Sequence, residues 1–201
     1  MNLRLSVFVI WLVFALLALS ATNALANGQS SSLINEYAIK KLGTEDGFVS
    51  SEIYSIIQDN QGFLWFGTAE NGVMRFDGRK VVLFEFNKMN ENGLSHNDAG
   101  NLMLDNDGRI WIGTWGGGAN LYDPKIGRFE NFLHSASQAN SVSSNRIQAL
   151  LHDQTGIIWL GSYDGGLNKY LGNGQFEHIT KTGDSEPSLS HNRIWDIADK
   201  D

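Results

Sequence analysis

Cysteine is absent from the sequence, and proline occurs only twice. With no thiol there is no disulfide framework and no cysteine-based metal or redox site, so any fold must hold by core packing alone. Basic residues are also scarce. Fifteen Lys and Arg stand against 22 Asp and Glu, a net charge of −7, with no basic stripe; this argues against a nucleic-acid partner. The five histidines, His96, His134, His152, His178 and His191, are scattered without zinc-ligand spacing, so neither a metal nor another cofactor is expected. Long apolar runs are missing outside the N-terminus, and no second hydrophobic helix follows.

What the N-terminus has is a short apolar run with a positive start. Arg4 precedes residues 5–19, which are apolar except Ser6, and Ala24-Leu25-Ala26 fits a small-residue cleavage site. This pattern reads as a signal-peptide helix over residues 1–26, cleaved before Asn27. Its apolar core of about 15 residues is shorter than the roughly 20 that span a bilayer. Removing it takes away Arg4 and no acid, leaving a net charge of −8. An exported, cysteine-free domain suits a bacterial periplasm.

Glycine is abundant, at 22 residues, together with 6 Trp and 11 Phe. Many short strands joined by tight turns need such a composition. Three stretches align without gaps: DNQGFLWFGTAENGVMRF (59–76), DNDGRIWIGTWGGGANLY (105–122) and DQTGIIWLGSYDGGLNKY (153–170). Trp65, Trp111 and Trp159 recur at intervals of 46 and 48 residues. A second motif precedes each: VSS at 49, LSHN at 94, VSSN at 142 and LSHN at 189. Four strand-like segments in about 47 residues make one propeller blade. The first lies at 53–58 or 147–152. The second, centred on the Trp, lies at 63–68, 109–114 and 157–162. The third ends in Phe76, Tyr122 or Tyr170, and the fourth covers 81–86, 128–132 and 175–179.

The repeat also disposes of two tempting motifs. Asp105-Asn106-Asp107-Gly108 has the look of a calcium loop, but Gly108 is fourth rather than sixth. The sister turns Asp59-Asn60-Gln61-Gly62 and Asp153-Gln154-Thr155-Gly156 lack the second acid. A β-turn with Asp first and Gly fourth explains all three. The run Gly116-Gly117-Gly118 joins two strands and has no P-loop lysine, so it is no phosphate cradle. Trp65, Trp111 and Trp159 are expected to fill the space between blades. Gly67, Gly113 and Gly161, two residues later on the same face, would let neighbouring sheets approach.

Asp-x-x-Gly-x-x-Trp-x-Gly-Thr, followed by Gly-Gly-x-x-x-Tyr, resembles the two-component regulator propeller repeat over residues 43–201. Repeat 1 departs from it: Gly72 stands alone after Asn71, and Met74 replaces the Asn of positions 120 and 168. The resemblance implies the exported sensor region of a bacterial hybrid histidine kinase or diguanylate cyclase, with carbohydrates among the ligands. No kinase, receiver or cyclase motif is present.

The expected architecture is therefore all-β. Residues 1–26 are a signal segment and 27–42 a lead-in. An incomplete propeller follows, with blades at about 47–92, 93–140 and 141–187. The first strand of a fourth blade lies at 193–198, within 188–201. The chain reads as an N-terminal fragment whose partners are the remaining blades, the output domains and an unidentified small molecule or carbohydrate. No catalytic residue is assigned. One loop face would carry His96, Asn97, Trp115, Arg146, Tyr163, Asp164, His191 and Arg193 as ligand-binding candidates, with Glu70, Ser95, Asn145 and Asn192 beside them. Aromatics next to amides and arginines suit a sugar or a small acid, although Ser, Asn and His there also cap loops. Two rivals are an exported propeller enzyme acting on polysaccharide, which needs convergent acids or a His-centred site, and a protein-interaction scaffold.

Overall fold

The computed structural model describes residues 41–181 and 188–200. The signal segment and most of the lead-in lie outside the described residues. Twelve strands follow a 3-10 turn at Thr44–Asp46, and they form three four-stranded antiparallel meanders. The first sheet contains β1 (Ile53–Gln58), β2 (Leu64–Thr68), β3 (Val73–Phe76) and β4 (Val81–Phe84). The second contains β5 (Asn101–Leu104), β6 (Ile110–Gly113), β7 (Ala119–Asp123) and β8 (Arg128–Phe132). The third contains β9 (Ile147–His152), β10 (Ile158–Ser162), β11 (Leu167–Gly172) and β12 (Gln175–Ile179). Strand order equals chain order in every sheet. The first strands lie side by side, β5 between β1 and β9, so the sheets radiate from a common inner edge as propeller blades do.

Each Asp-x-x-Gly turn is closed by its aspartate. The Asp59 Oδ1 accepts from the backbone N–H groups of Gln61 (2.9 Å) and Phe63 (3.0 Å). Asp105 and Asp153 repeat these bonds with Asp107 and Arg109, and with Thr155 and Ile157. Gly62, Gly108 and Gly156 sit at φ 88°, 77° and 87°, a left-handed conformation that side chains oppose. The other carboxylate oxygen accepts from the indole of the same repeat. Trp65, Trp111 and Trp159 donate Nε1–H to it at 2.8, 3.2 and 2.7 Å. The carboxylates are thus engaged within their own hairpins.

Held this way, the indoles become wedges. Trp65 is fully buried among Ile110, Ile112, Tyr122 and Phe129 of the next sheet. Trp111 is fully buried among Ile158, Leu160 and Phe176 of the third. Each stacks on the fourth strand of its own sheet (Trp65 on Phe84 at 5.3 Å, Trp111 on Phe132 at 5.5 Å). Each also tilts onto the tyrosine of the following sheet, Tyr122 at 5.2 Å or Tyr170 at 4.8 Å. A buried indole of 150–250 Å² contributes on the order of 4–6 kcal/mol as an upper bound. Trp159 is only partly buried, with the Lys169 ammonium 5.9 Å from its ring.

Close approach at the inner edge depends on the glycine two residues after each Trp. A Cβ on Gly67 would stand 2.6 Å from the Ala99 carbonyl, one on Gly113 2.9 Å from that of Ile147, and one on Gly161 2.5 Å from the Ile194 side chain. Backbone bonds stitch the sheets here. Ala99, Ile147 and Ile194 donate to the carbonyls of Thr68, Thr114 and Ser162, at 3.0, 2.9 and 2.9 Å.

The structure refines the alignment of repeat 1 and corrects one expectation. First, the residue that matches Leu94 and Val142 in burial is Phe48, whereas Val49, where the VSS motif begins, is 50% exposed. Phe48 packs on Phe66 at 5.0 Å and Phe76 at 5.7 Å, over Met74. Leu94 and Val142 hold the corresponding positions of the next repeats, where Asn120 and Asn168 accept from the N–H groups of Ser95 and Ser143 at 2.8 Å. Met74 makes no such bond and serves as an apolar floor for Phe48 instead. Secondly, residues 193–198 are not a strand. Ile194 makes its stitch to Ser162, but among the described residues no second strand lies beside this segment to supply a ladder, and an unpaired strand has little to hold it.

Replacing Asp105 by Ala strands an indole N–H and two backbone N–H groups, and should cost about 2–4 kcal/mol. Asp107→Ala, in the same turn but exposed, should stay within about 0.5 kcal/mol. Urea midpoints at constant slope decide this; equal effects would remove the indole bond from the account. Asp153 gives a pH counterpart. The Trp159 indole, then the Thr155 hydroxyl, then backbone N–H groups draw its pKa down from 3.8 to about 2. A depressed folded value means that the stabilisation is complete above pH 4 and is lost as pH falls from about 4 to about 2. Asp153→Asn should flatten acid unfolding across that window in a circular dichroism titration.

Candidate functional site

The loops after each second strand and those leading into each first strand meet at one end of the inner edge. A backbone rung ties them: Trp115 donates to the Asp98 carbonyl and Tyr163 to the Arg146 carbonyl, both at 2.9 Å. This brings five of the eight sequence candidates together. The Trp115 and Tyr163 rings meet edge to face at 4.7 Å. The Arg146 guanidinium lies 5.6 Å from the Trp115 ring and 5.1 Å from the Tyr163 ring. Its Nη2 pairs with Asp164, whose other oxygen accepts from the Ser144 hydroxyl. Arg193 covers Tyr163 at 4.3 Å.

The other three candidates brace loops. Asn97 accepts from the Phe86 N–H through Oδ1 at 2.6 Å and from Gly72 through its carbonyl at 2.7 Å. Asn145 and Asn192 repeat the side-chain bond with His134 and Lys181. His96 and His191 accept from the N–H groups of Asp98 and Arg193 through Nδ1, at 3.0 and 2.9 Å. Ser144 does the same for Arg146 with its hydroxyl. Ser95 donates to the Gly117 carbonyl at 2.7 Å.

Sequence reasoning missed the residues beneath this loop layer. One residue after the stitched positions 99, 147 and 194, and after their equivalent 53, stand Gly100, Gln148, Trp195 and Tyr54. They line a cavity of about 230 Å³ together with Asp98 and Trp115. A Cβ on Gly100 would be 2.6 Å from the Tyr54 ring, so the missing side chain is what lets Tyr54 lie across the neighbouring strand. Trp195 and Tyr54 are both 64% exposed, and Trp195 meets Tyr163 at 5.6 Å. Larger depressions, of about 480 and 640 Å³, lie around Arg109 and Asn131 and around Phe84 and Asn92. They belong to the outer strands and gather side chains from fewer repeats, so the smaller cavity is the better candidate.

The electrostatics differ along the rim. Burial of Asp98 raises its carboxyl above the usual range; His96 partly offsets this and Glu70 adds to it. Burial also pushes Asp164 up, but the bonds from Ser144 and Arg146 outweigh it and leave the carboxyl below its ordinary value. Among the described residues no group of His, Asp and Glu is arranged to hold a metal ion. Among the described residues, Asp98 is the one carboxylate lining the cavity, where a hydrolytic site would require a convergent pair.

The comparisons fall in line with this geometry. A family model described as "Two component regulator propeller" matches residues 47–70, 93–116 and 141–164. A crystal structure described as the extracellular domain of a hybrid two component system of B. thetaiotaomicron superposes with a TM-score of 0.71 at 26% identity, covering 78% of this chain and 22% of that one. A second extracellular domain from the same organism, described in one structure as a one component system and in another as a hybrid two component system, gives a TM-score of 0.59 at 26% identity. It covers 76% of this chain and 19% of its own. The chain thus spans about a fifth of these structures. Virginiamycin B lyase from Staphylococcus aureus, at 16% identity and a TM-score of 0.50, shares the fold alone, with 66% of this chain and 42% of that one covered. No curated protein matches the chain.

Substituting Arg146 by Met removes the partner of Asp164, so the Asp164 titration should move up toward the ordinary carboxylate range. Carbon chemical shifts followed against pH read this directly, and an unchanged midpoint would mean that the pair contributes nothing.

Proposed function

The three repeats of this chain belong to the two component regulator propeller family, and on that footing we propose that the chain is the periplasmic ligand-sensing module of a bacterial membrane signalling protein. The observation that carries the reading is the inner-edge cavity. Its floor and rim draw aromatic, amide and charged side chains from all four repeats, while the Trp wedges and Asp turns that hold the fold stay away from it. A concave site with aromatic walls and a few polar groups suits a small ligand with a flat face, and a carbohydrate is one such ligand. The neighbours at 26% identity, described as extracellular domains of such systems, support placing the site outside the inner membrane. Among the described residues no helix is long and apolar enough to cross a membrane. Export would then rest on residues 1–26, and coupling to a kinase or cyclase on segments beyond those described.

Ligand binding should raise the melting temperature of the full chain. Screened against monosaccharides, oligosaccharides and small organic acids by thermal shift, the wild type is expected to respond to at least one. The response should vanish in Trp115→Ala, with the unliganded melting temperature little changed. A response that survives this substitution would move the site elsewhere. Alkaline phosphatase fused after residue 201 should be active, and deletion of residues 5–19 should silence it.

A further inference from the structure

The position that leads into each first strand is charged in every repeat: Glu52, Asp98, Arg146 and Arg193. The first two are acidic and the last two basic, so the rim changes sign along its length. Among the described residues, Arg146 alone of the three that stand beside the cavity has an ion-pair partner, Asp164. Asp98 lines the cavity, half-buried, yet among the described residues its carboxylate makes no hydrogen bond or salt bridge. A carboxylate taken partly out of water without a partner is costly. Burial holds the Asp98 proton more tightly than usual; His96 partly offsets this and Glu70 adds to it. At the other end, the Arg193 guanidinium rests on the Tyr163 face with no acid paired to it among the described residues. Between the two ends lie the Trp115 and Tyr163 rings, with Trp195 against Tyr163.

We infer that this rim recognises a zwitterion whose charges stand on opposite sides of a ring: an ammonium group on Asp98, a carboxylate on Arg193, and the ring lying on the aromatic row between them. The inference rests on the proposed ligand-sensing role and narrows the ligand for the same site. Each end then gains a charge-assisted hydrogen bond, and the guanidinium fork can take a carboxylate through two N–H groups. Arg146 stays with Asp164 and stiffens the middle of the row. An aromatic acid with its amine and its acid on opposite sides of one ring carries this chemistry, whereas an α-amino acid, whose two charged groups share one carbon, does not reach both ends.

Isothermal titration of the full chain separates the possibilities. The probes are 4-(aminomethyl)phenylacetic acid, its N-acetyl derivative, its amide, L-phenylalanine and the neutral disaccharide cellobiose. The first, a zwitterion with separated charges, should bind, and more tightly than phenylalanine. Its two singly charged forms should each be weaker by about tenfold or more. Asp98→Asn should erase the advantage over the N-acetyl form. Arg193→Gln should weaken every carboxylate-bearing probe while leaving the amide unchanged. Both side chains are solvent-accessible, and the circular dichroism spectrum of each variant checks its folding. Failure of the zwitterion with separated charges to bind, tighter binding by phenylalanine, or equal binding by the singly charged forms overturns the inference. Cellobiose binding alone, lost in Trp115→Ala, would overturn it while leaving the sensing role standing.

Discussion

One carboxylate joins two levels of this structure. In each repeat the turn aspartate holds its own hairpin with Oδ1 and the indole of the next strand with Oδ2. The Trp cannot take another rotamer without losing that bond, so it leans in the direction that fills the gap to the following sheet. Local turn chemistry thereby sets the position of the largest side chain in the inter-sheet core. A Trp positioned by packing alone would leave its N–H without a partner in an apolar cluster, at the cost of an unmade hydrogen bond. Asp105 adds a further constraint by accepting from the Arg109 Nε at 2.8 Å, which lays that side chain along the turn.

The same economy governs the inner edge. Close-approach glycines recur in the first three repeats, and stitches and loop-bracing Asn residues in the second, third and fourth, so backbone geometry repeats while the residues in between are free to differ. Position 54 and its equivalents hold Tyr, Gly, Gln and Trp, and position 52 and its equivalents hold Glu, Asp, Arg and Arg. A scaffold that repeats and a lining that does not is how a repeat protein builds an asymmetric site.

What the sequence made legible was whatever recurs. The Trp wedges, the glycines of close approach, the Asp turns and the four strands per repeat follow from one period, and each is found where the period puts it. The Asp–indole bond was hidden because six residues separate the partners, and only the closed turn brings them together. Phe48 and Val49 are both apolar, and their burial depends on how the lead-in meets Met74, which spacing alone does not show. Residues 193–198 carry a strand pattern, but a strand needs a neighbour as well as a pattern. Of the site, Trp115, Arg146, Tyr163, Asp164 and Arg193 were visible as loop residues. Tyr54, Asp98, Gln148 and Trp195 were not singled out, because positions that diverge between repeats leave no recurrence to notice.

Phe48 has a consequence for how the chain is made. Its ring, with Leu42 beside it, covers the face of the first sheet that corresponds to the one Trp65 covers in the second and Trp111 in the third. The lid therefore precedes its sheet along the polypeptide. A nascent chain threading out N-terminus first can shelter this face as soon as β4 is released, without waiting for any later repeat. Each further sheet then meets an indole already in place, and assembly proceeds in the order of synthesis.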